Sequence, residues 1–173
     1  IAAKCGAAAL EAGAKFVYMS TATVYKSEKS ASSETGPIAP WTTPAEHQLA
    51  AEGVLKAIDG LQLVILRPAI IYGPAAVSGV MPRVVCAAAY TKLGEKMQFL
   101  WDSSMRLNTV HVRDVCKAVW HCCTSAPQGS TFNLADKNAT DQGKINAILG
   151  ELFGIKTGFQ GKIVSNLARV SNP

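Results

Sequence analysis

Phe16-Val17-Tyr18-Met19-Ser20-Thr21-Ala22-Thr23-Val24-Tyr25 joins a short apolar run to a run of hydroxyls. The apolar run Phe16 to Met19 is short, aromatic and β-branched, which suits a strand covered on both faces. Hydroxyls follow at its C-terminal end, at Ser20, Thr21 and Thr23, and lead into a polar turn. In open α/β sheets that end is where ligands sit.

Upstream, Ala2 to Ala12 reads as an alanine-rich helix that Gly13 stops. Downstream, Tyr25 to Pro40 is rich in Ser, Lys, Glu, Gly and Pro and reads as a loop over the strand end. Thr43-Pro44-Ala45-Glu46 reads as a capping box, with Thr43 as N-cap, Pro44 at the first helical position and Glu46 three residues on. That helix is expected to run to about Ile58, ended by Asp59-Gly60. Leu61 to Leu66 is a second continuous apolar strand, closed by Arg67-Pro68.

Beyond it, Val80 to Lys92 is a helix expected to face a core with Val84, Val85, Ala88 and Ala89, and Gly94 breaks it. Met97 to Trp101 is a short strand, Asp102 to Arg106 a turn, and Asn108 to Val112 an extended stretch. Val115 to Cys123 is helical, and Thr131 to Leu134 is a further strand. Asp141 to Phe153 is an amphipathic helix with Ile145, Ile148, Leu149 and Leu152 on one side. The last twenty residues read ambiguously, and there is no internal repeat.

The 173 residues, 49% hydrophobic, are one domain's worth of chain. No apolar run reaches the roughly 18 residues that span a bilayer. The formal charge of +5 is scattered, with no Lys/Arg block. This reads as a solvated mixed surface; an anionic dinucleotide or nucleotide sugar is the next reading, and nucleic acid is disfavoured. Cys5, Cys86, Cys116, Cys122 and Cys123 form no C-x-x-C pair. The last three have helical spacing and read as small buried hydrophobes in a reducing compartment, with no metal site. The sequon Asn138-Ala139-Thr140 is short enough to arise by chance. The chain opens at Ile1, without methionine and already helical, so a piece of a longer protein is expected.

Four segments, in order, resemble the extended short-chain dehydrogenase/reductase family, the NAD(P)-dependent sugar epimerases and dehydratases. Ser20-Thr21-Ala22-Thr23-Val24-Tyr25 resembles the family's Ser-Ser/Thr-x-x-Val-Tyr-Gly. Arg67-Pro68 through Tyr72-Gly73-Pro74 resembles Arg-Pro-x-Asn-Val-Tyr-Gly-Pro. Val110-His111-Val112-Arg113-Asp114-Val115 resembles Val-His-Val-x-Asp-Val, and Phe132-Asn133-Leu134 resembles Tyr-Asn-Leu/Ile-Gly. The resemblance implies an α/β fold: the C-terminal half of a Rossmann-like, doubly wound parallel sheet with a small substrate-binding subdomain. Residues 1–173 are then a partial NAD(P)-binding domain, with substrate-side segments at roughly 75–110 and 138–173. The Gly-rich dinucleotide turn is expected upstream of Ile1, on an N-terminal segment of the same protein. Its absence here leaves the nicotinamide and substrate sides.

The family's chemistry, by the same resemblance, needs a Ser/Thr hydroxyl on the reacting oxygen and a Tyr-x-x-x-Lys pair. The Lys cation lowers the Tyr pKa, making a usable base. Thr21 falls on the hydroxyl position. Gln48-Leu49-Ala50-Ala51-Glu52 fits the family's Lys-x-x-x-Glu run, which puts Gln48 at the Lys position and Pro44 at the Tyr position. No tyrosine lies between Tyr25 and Tyr72, so the loss does not depend on register. The literal pair Tyr25 and Lys29 is set aside, because Tyr25 already fills the strand-end motif. Glu46 and His47 are further candidate acid/base groups. Ile70 replaces the motif's Asn, and Lys26 its Gly; Arg67, Asp114 and Asn133 remain, read chiefly as residues that fix strand-to-loop turns.

The resemblance implies Thr21 as catalytic hydrogen-bonder. It implies Ser20, Thr21, Gln48, Pro68, Ala69, Ile70 and Ile71 around NAD or NADP, and Ala22, Thr23, Tyr72 and Arg106 toward substrate. Two functional readings follow. One is an epimerase/dehydratase-like oxidoreductase for nucleotide sugars or related small molecules, with impaired or altered catalysis. The other is a non-catalytic scaffold on the same fold. A homodimer, a cytoplasmic location and no membrane association complete the expectation.

Overall fold

The computed structural model describes residues 1–28 and 30–170, and the side chains of these up to residue 168. Two compact units divide them. Unit 1 comprises Ile1–Ile71 and Val110–Ala135; unit 2 comprises Tyr72–Thr109 and Asp136–Pro173.

Unit 1 is a three-stranded parallel sheet between helices. Its strands are β1 (Phe16–Met19), β2 (Leu63–Pro68) and, late in the chain, β6 (Thr131–Leu134). The order is β1-β2-β6, with Phe16 opposite Leu63, Met19 opposite Leu66, and Ile65 opposite Thr131. Side chains alternate across a strand, so one set goes to each face. Phe16, Tyr18, Leu63 and Ile65 pack against α1 (Ala2–Glu11) and α2 (Thr43–Lys56), through Ala2, Ala9 and Leu55. Val17, Met19, Val64, Leu66, Phe132 and Leu134 pack against α4 (Val112–Thr124), through Val119 and Cys122. This is the α/β, parallel-sheet architecture that the four motifs implied.

β2 is buried along its whole length, whereas β1 is half-buried throughout. The expectation of a strand covered on both faces holds for β1, with partial exposure along it. Both its faces are packed, but among the described residues it pairs with β2 alone and keeps an open edge. β2 begins at Leu63 rather than Leu61 and extends through Pro68, whose missing N–H is tolerated at a strand end. α1 ends at Glu11, and Gly13 follows with φ of +60°, a conformation that favours glycine. Gly6 is buried where α1 meets α2. A Cβ there would lie 2.7 Å from Ile58 Cδ1 and 2.8 Å from Leu55 Cδ2.

The start of α2 differs by one residue from the sequence reading. Thr42, not Thr43, is the N-cap, and its Oγ1 accepts from Ala45 N at 3.2 Å. Pro44 and Glu46 each move one position deeper, so Glu46 has no capping-box role. Either threonine can cap; Thr42 does so because its backbone stays extended, at φ −138° and ψ 146°. α4 starts at Val112, earlier than expected, because His111 caps it by accepting from Arg113 N. The cysteine reading holds for Cys122 alone. Cys5, Cys86, Cys116 and Cys123 are exposed, because α4 buries the stripe of Val115 and Cys122, seven residues apart.

Unit 2 holds β3's last residue, Tyr72, where β3 is Ile70–Tyr72. It also holds α3 (Met81–Lys92), β4 (Met97–Phe99), α5 (Gln142–Phe153), β7 (Thr157–Phe159) and α6 (Gly161–Val170). β5 (Thr109–His111) begins here and leads into unit 1. β4 and β7 pair in parallel, Met97 with Thr157 and Phe99 with Phe159. Ala87, Phe99, Leu149 and Ile155 form the core, with Val84, Ala88 and Ile145 against it. Val85 and Ala89 on α3, and Ile148 and Leu152 on α5, face solvent instead of the expected core. Each helix buries a narrower stripe than its apolar content allows. The ambiguous last twenty residues form β7 and α6 as far as residue 170; residues 171–173 lie outside the described residues.

Candidate functional site: a polar network at the strand ends

β1, β2 and β6 run parallel, so their C-terminal ends lie on one edge of the unit 1 sheet. Ser20, Arg67 and Asn133 stand at those ends. Arg67 is 4% exposed and Glu52, on α2, 1% exposed. Two buried charges are tolerable only when paired and hydrogen-bonded. Arg67 Nε donates to Glu52 Oε1 at 3.0 Å, and Nη2 to Oε2 at 2.5 Å, a two-pronged pair. Ser20 Oγ donates to Glu52 Oε1 at 2.5 Å, and Lys56 Nζ lies 3.6 Å from Oε2.

Burial alone would raise the Glu52 pKa. The hydrogen bonds from Arg67 and Ser20, with the charges of Arg67 and Lys56, outweigh it and leave the carboxyl below its ordinary value. Arg67 is pushed the other way, upward, first by its hydrogen bond to Glu52.

The network continues into the loop that follows β1. Arg67 Nη1 donates to the Tyr25 hydroxyl at 2.7 Å, and that hydroxyl donates to Asn133 Oδ1 at 2.8 Å. The guanidinium also lies 4.9 Å from the Tyr25 ring centroid. Asn133 Nδ2 donates to Ser32 O, Asn133 N to Glu34 Oε1, and Arg67 Nη1 to Glu34 O. Thus the polar segment is tied to the sheet at Tyr25, Ser32 and Glu34. Asn133 is not a turn former but the β6 residue where these ties converge. Asp114 stands apart, exposed and paired with Lys117 at 3.1 Å.

The register of α2 follows from Glu52. With that side chain buried against Arg67, residues 48 and 44 lie one and two turns earlier on the same helical face. Gln48 is half-buried, and its Oε1 accepts from the Tyr18 hydroxyl of β1. Desolvation, then the charge of Glu52, raises the Tyr18 pKa, so its phenol stays a donor. With its oxygen accepting from Tyr18, the Gln48 amide keeps its NH2 as a neutral donor group. Pro44 is exposed and has no proton to give; Glu46 and His47 are exposed on other faces. Lys29, of the pair Tyr25 and Lys29, lies outside the described residues.

The remaining implied residues fall into three places. Thr21 is half-buried; its Oγ1 lies 2.9 Å from Thr23 Oγ1 and accepts from Thr23 N at 3.3 Å, capping a 3-10 turn, Ala22–Val24. Pro68 is buried, and Ala69, Ile70 and Ile71 are half-buried at the end of β2 and start of β3. Ala69 N is committed to Leu134 O at 2.8 Å. Tyr72 and Arg106 belong to unit 2, where Arg106 is exposed and its backbone bridges Asp141. The structure thus gathers Ser20, Thr21, Thr23, Gln48 and Pro68 within unit 1. Ser20 is spent on Glu52. The residues that sequence reasoning missed are Glu52 as the arginine's partner and Tyr18 as the anchor of Gln48. A carboxylate on the same helical face as Gln48 was the available signal for the first.

This fold matches known proteins. The NAD dependent epimerase/dehydratase family matches residues 3–135, and the chain belongs to that family. No curated protein sequence matches it. Among solved structures it resembles MoeE5 in complex with UDP-glucose and NAD, at 23% identity and a TM-score of 0.76, over 95% of this chain and 57% of that one. It also resembles the Bordetella bronchiseptica enzyme WbmG in complex with NAD and UDP, at 19% identity and a TM-score of 0.78, over 93% and 50%. A third is the Thermus thermophilus UDP-glucose 4-epimerase complex with NAD, at 22% identity and a TM-score of 0.73, over 93% and 55%. The likeness establishes a shared fold, and the chain spans about half the length of these structures.

Among the described residues no group of three His, Cys, Asp or Glu could hold a metal ion, and no helix is long and apolar enough to cross a membrane.

Proposed function

We propose that this chain carries the nicotinamide and substrate sides of an NAD(P)-dependent epimerase/dehydratase-like protein that takes nucleotide sugars and whose acid–base chemistry is altered. The observation that carries this reading is the register of α2. With Glu52 buried against Arg67 and Ser20, Gln48 and Pro44 lie one and two turns earlier on α2, which supports matching them to the Lys and Tyr that the motif resemblance expects.

NAD or NADP would be held on this side by Thr21, Gln48 and the Pro68–Ile71 backbone, and when bound it supplies a hydride acceptor and donor. The NH2 of Gln48 suits a ribose hydroxyl, yet carries no charge to stabilise a phenolate. Thr21 Oγ1 can turn to a reacting oxygen, since both bonds it now makes, to Thr23 N and Thr23 Oγ1, are local to the turn. Proton movement then falls to substrate or water. A general acid–base residue contributes on the order of 10²–10⁴ in rate, so turnover is expected to be slow. The segments at roughly 75–110 and 138–173 would serve the substrate, in a cytoplasmic homodimer.

The test has two stages on the complete gene product. NADH and NADPH are titrated by nicotinamide fluorescence, and turnover of UDP-sugars is followed. Saturable binding with slow turnover is expected. The double variant Pro44→Tyr/Gln48→Lys should raise turnover at least tenfold, and Thr21→Ala should lower it. No binding at millimolar cofactor would overturn the cofactor reading.

A non-catalytic scaffold is the second reading. It is favoured by the hydroxyls of Ser20 and Tyr25 being spent on the buried network. Cofactor binding without turnover in either the wild type or the double variant would select it.

A further inference from the structure

The core of unit 2 leaves a gap at its edge. Val84, Ala88, Thr91 and Lys92 are spaced i, i+4, i+7 and i+8 along α3, so they share one helical face. With Phe153 and Ile155 they line a groove of about 290 Å³. Gly154 separates those last two residues. Its φ of +63° lies in the left-handed region and ends α5, so the chain turns between Phe153 and Ile155. Ile155 is 6% exposed and packs in the core with Ala87, whereas Phe153 is 65% exposed. The groove therefore runs from the core to the surface.

Its lining is apolar and offers no spare hydrogen bond at Thr91. The Thr91 Oγ1 donates to Ala87 O at 2.9 Å and accepts from Lys156 N at 3.2 Å. Apolar hollows hold water poorly, and one of roughly 150 Å³ takes up benzene. About twice that volume suits about ten to twelve non-hydrogen atoms. Val84 and Lys92 are eight residues apart, about 12 Å along the helix axis. That length favours a linear chain over a ring.

The rim is basic. Lys92 is exposed in the last turn of α3, and Lys156 is exposed next to Ile155. Neither is in an ion pair among the described residues. The carbonyls that end α3 do not need Lys92: Leu93 N donates to Ala89 O, Gly94 N to Thr91 O and Glu95 N to Tyr90 O. No acidic residue lines the groove.

We propose that this groove binds a medium-chain carboxylate, its tail against Val84, Ala88, Phe153 and Ile155 and its head beside Lys92 and Lys156. The tail gains by leaving water, and a single anionic end complements the two unpaired cations. The groove lies wholly within unit 2 and does not depend on the function proposed above.

The test measures octanoate, hexanoate and octanol binding to the complete gene product by calorimetry, below the concentration at which octanoate forms micelles. Octanoate should bind. Hexanoate should bind on the order of tenfold more weakly, since each CH2 at a partly open site contributes about two- to fourfold. The double variant Lys92→Gln/Lys156→Gln should weaken octanoate by about two- to tenfold and leave octanol unchanged. Ala88→Leu fills the groove and should weaken octanoate at least tenfold. Circular dichroism checks its folding, and Phe153→Ala, at an exposed position, carries the test if Ala88→Leu fails to fold. No octanoate binding by the wild type, or an affinity unchanged in Ala88→Leu and Phe153→Ala, would overturn the proposal. Octanol binding as tight as that of octanoate, or octanoate binding unmoved by the double lysine variant, would overturn the carboxylate as its ligand.

Discussion

Arg67 and Arg83 are two arginines in two units of one chain, and their surroundings are opposite. Arg67 is almost wholly buried, and its guanidinium meets a carboxylate, a phenol and a backbone carbonyl. Arg83 is half-buried, and it meets an amide and a ring. A guanidinium taken from water needs compensation, and the stronger compensation comes from a carboxylate. The first arginine is therefore complete within the fold and ties β2 to α2 and to the segment after β1. The second has donors left over. Completeness marks a structural centre, whereas the second guanidinium is held by neutral partners.

Substitution should separate the two roles sharply. The largest effect is expected at the buried pair. Arg67→Met leaves Glu52 buried without its partner and should cost about 3–5 kcal/mol, read from urea denaturation. The pH dependence has the same origin. Glu52's folded pKa is below its unfolded value of about 4.3. It therefore contributes stability above that value, and this is lost as pH falls through the folded pKa. The wild-type urea midpoint should drop below about pH 4.3, and Glu52→Gln should flatten that drop; an unchanged slope would count against the pairing.

Next comes Tyr25→Phe, which removes the hydroxyl between Arg67 and Asn133. A loss of about 2 kcal/mol is expected, together with faster proteolysis at residues 26–40, where the ties at Ser32 and Glu34 loosen. Arg83→Met should cost less, about 1 kcal/mol, since the Gln142 carbonyl loses a neutral hydrogen bond and the Phe99 ring a cation, and no buried charge is left unpaired. A loss as large as that of Arg67→Met would show that Arg83 is structural too, and the contrast between the arginines would collapse. Smallest of all, Thr42→Ala should cost somewhat under 1 kcal/mol in thermal melting, at the low end for an N-cap. Thr43→Ala should cost still less, which checks the cap directly.

Much of unit 1 was legible in the sequence because its signals are local. A run such as Phe16 to Met19 followed by hydroxyls, or Leu63 to Leu66 followed by Arg67-Pro68, declares a strand and its end within ten residues. The cap of α2 was misplaced by one residue, because Thr42 and Thr43 have the same chemistry and only backbone conformation chooses between them. Unit 2 was less legible. Val85, Ala89, Ile148 and Leu152 fit an apolar stripe, yet they face solvent, because which side of a helix is covered depends on what the rest of the chain brings to it.

The candidate site divides in the same way. That Pro44 and Gln48 stand where a tyrosine and a lysine were expected is a fact of residue identity, and no folding could alter it. So are the missing tyrosine between residues 25 and 72 and the hydroxyls after β1. The pairing of Glu52 with Arg67, of Tyr18 with Gln48, and of Arg83 with Gln142 joins residues 15, 30 and 59 positions apart. Contacts across such distances leave no periodic trace in the chain. They arise when strands align in register and buried polar groups must find partners, and the tertiary structure alone chose which partners those were.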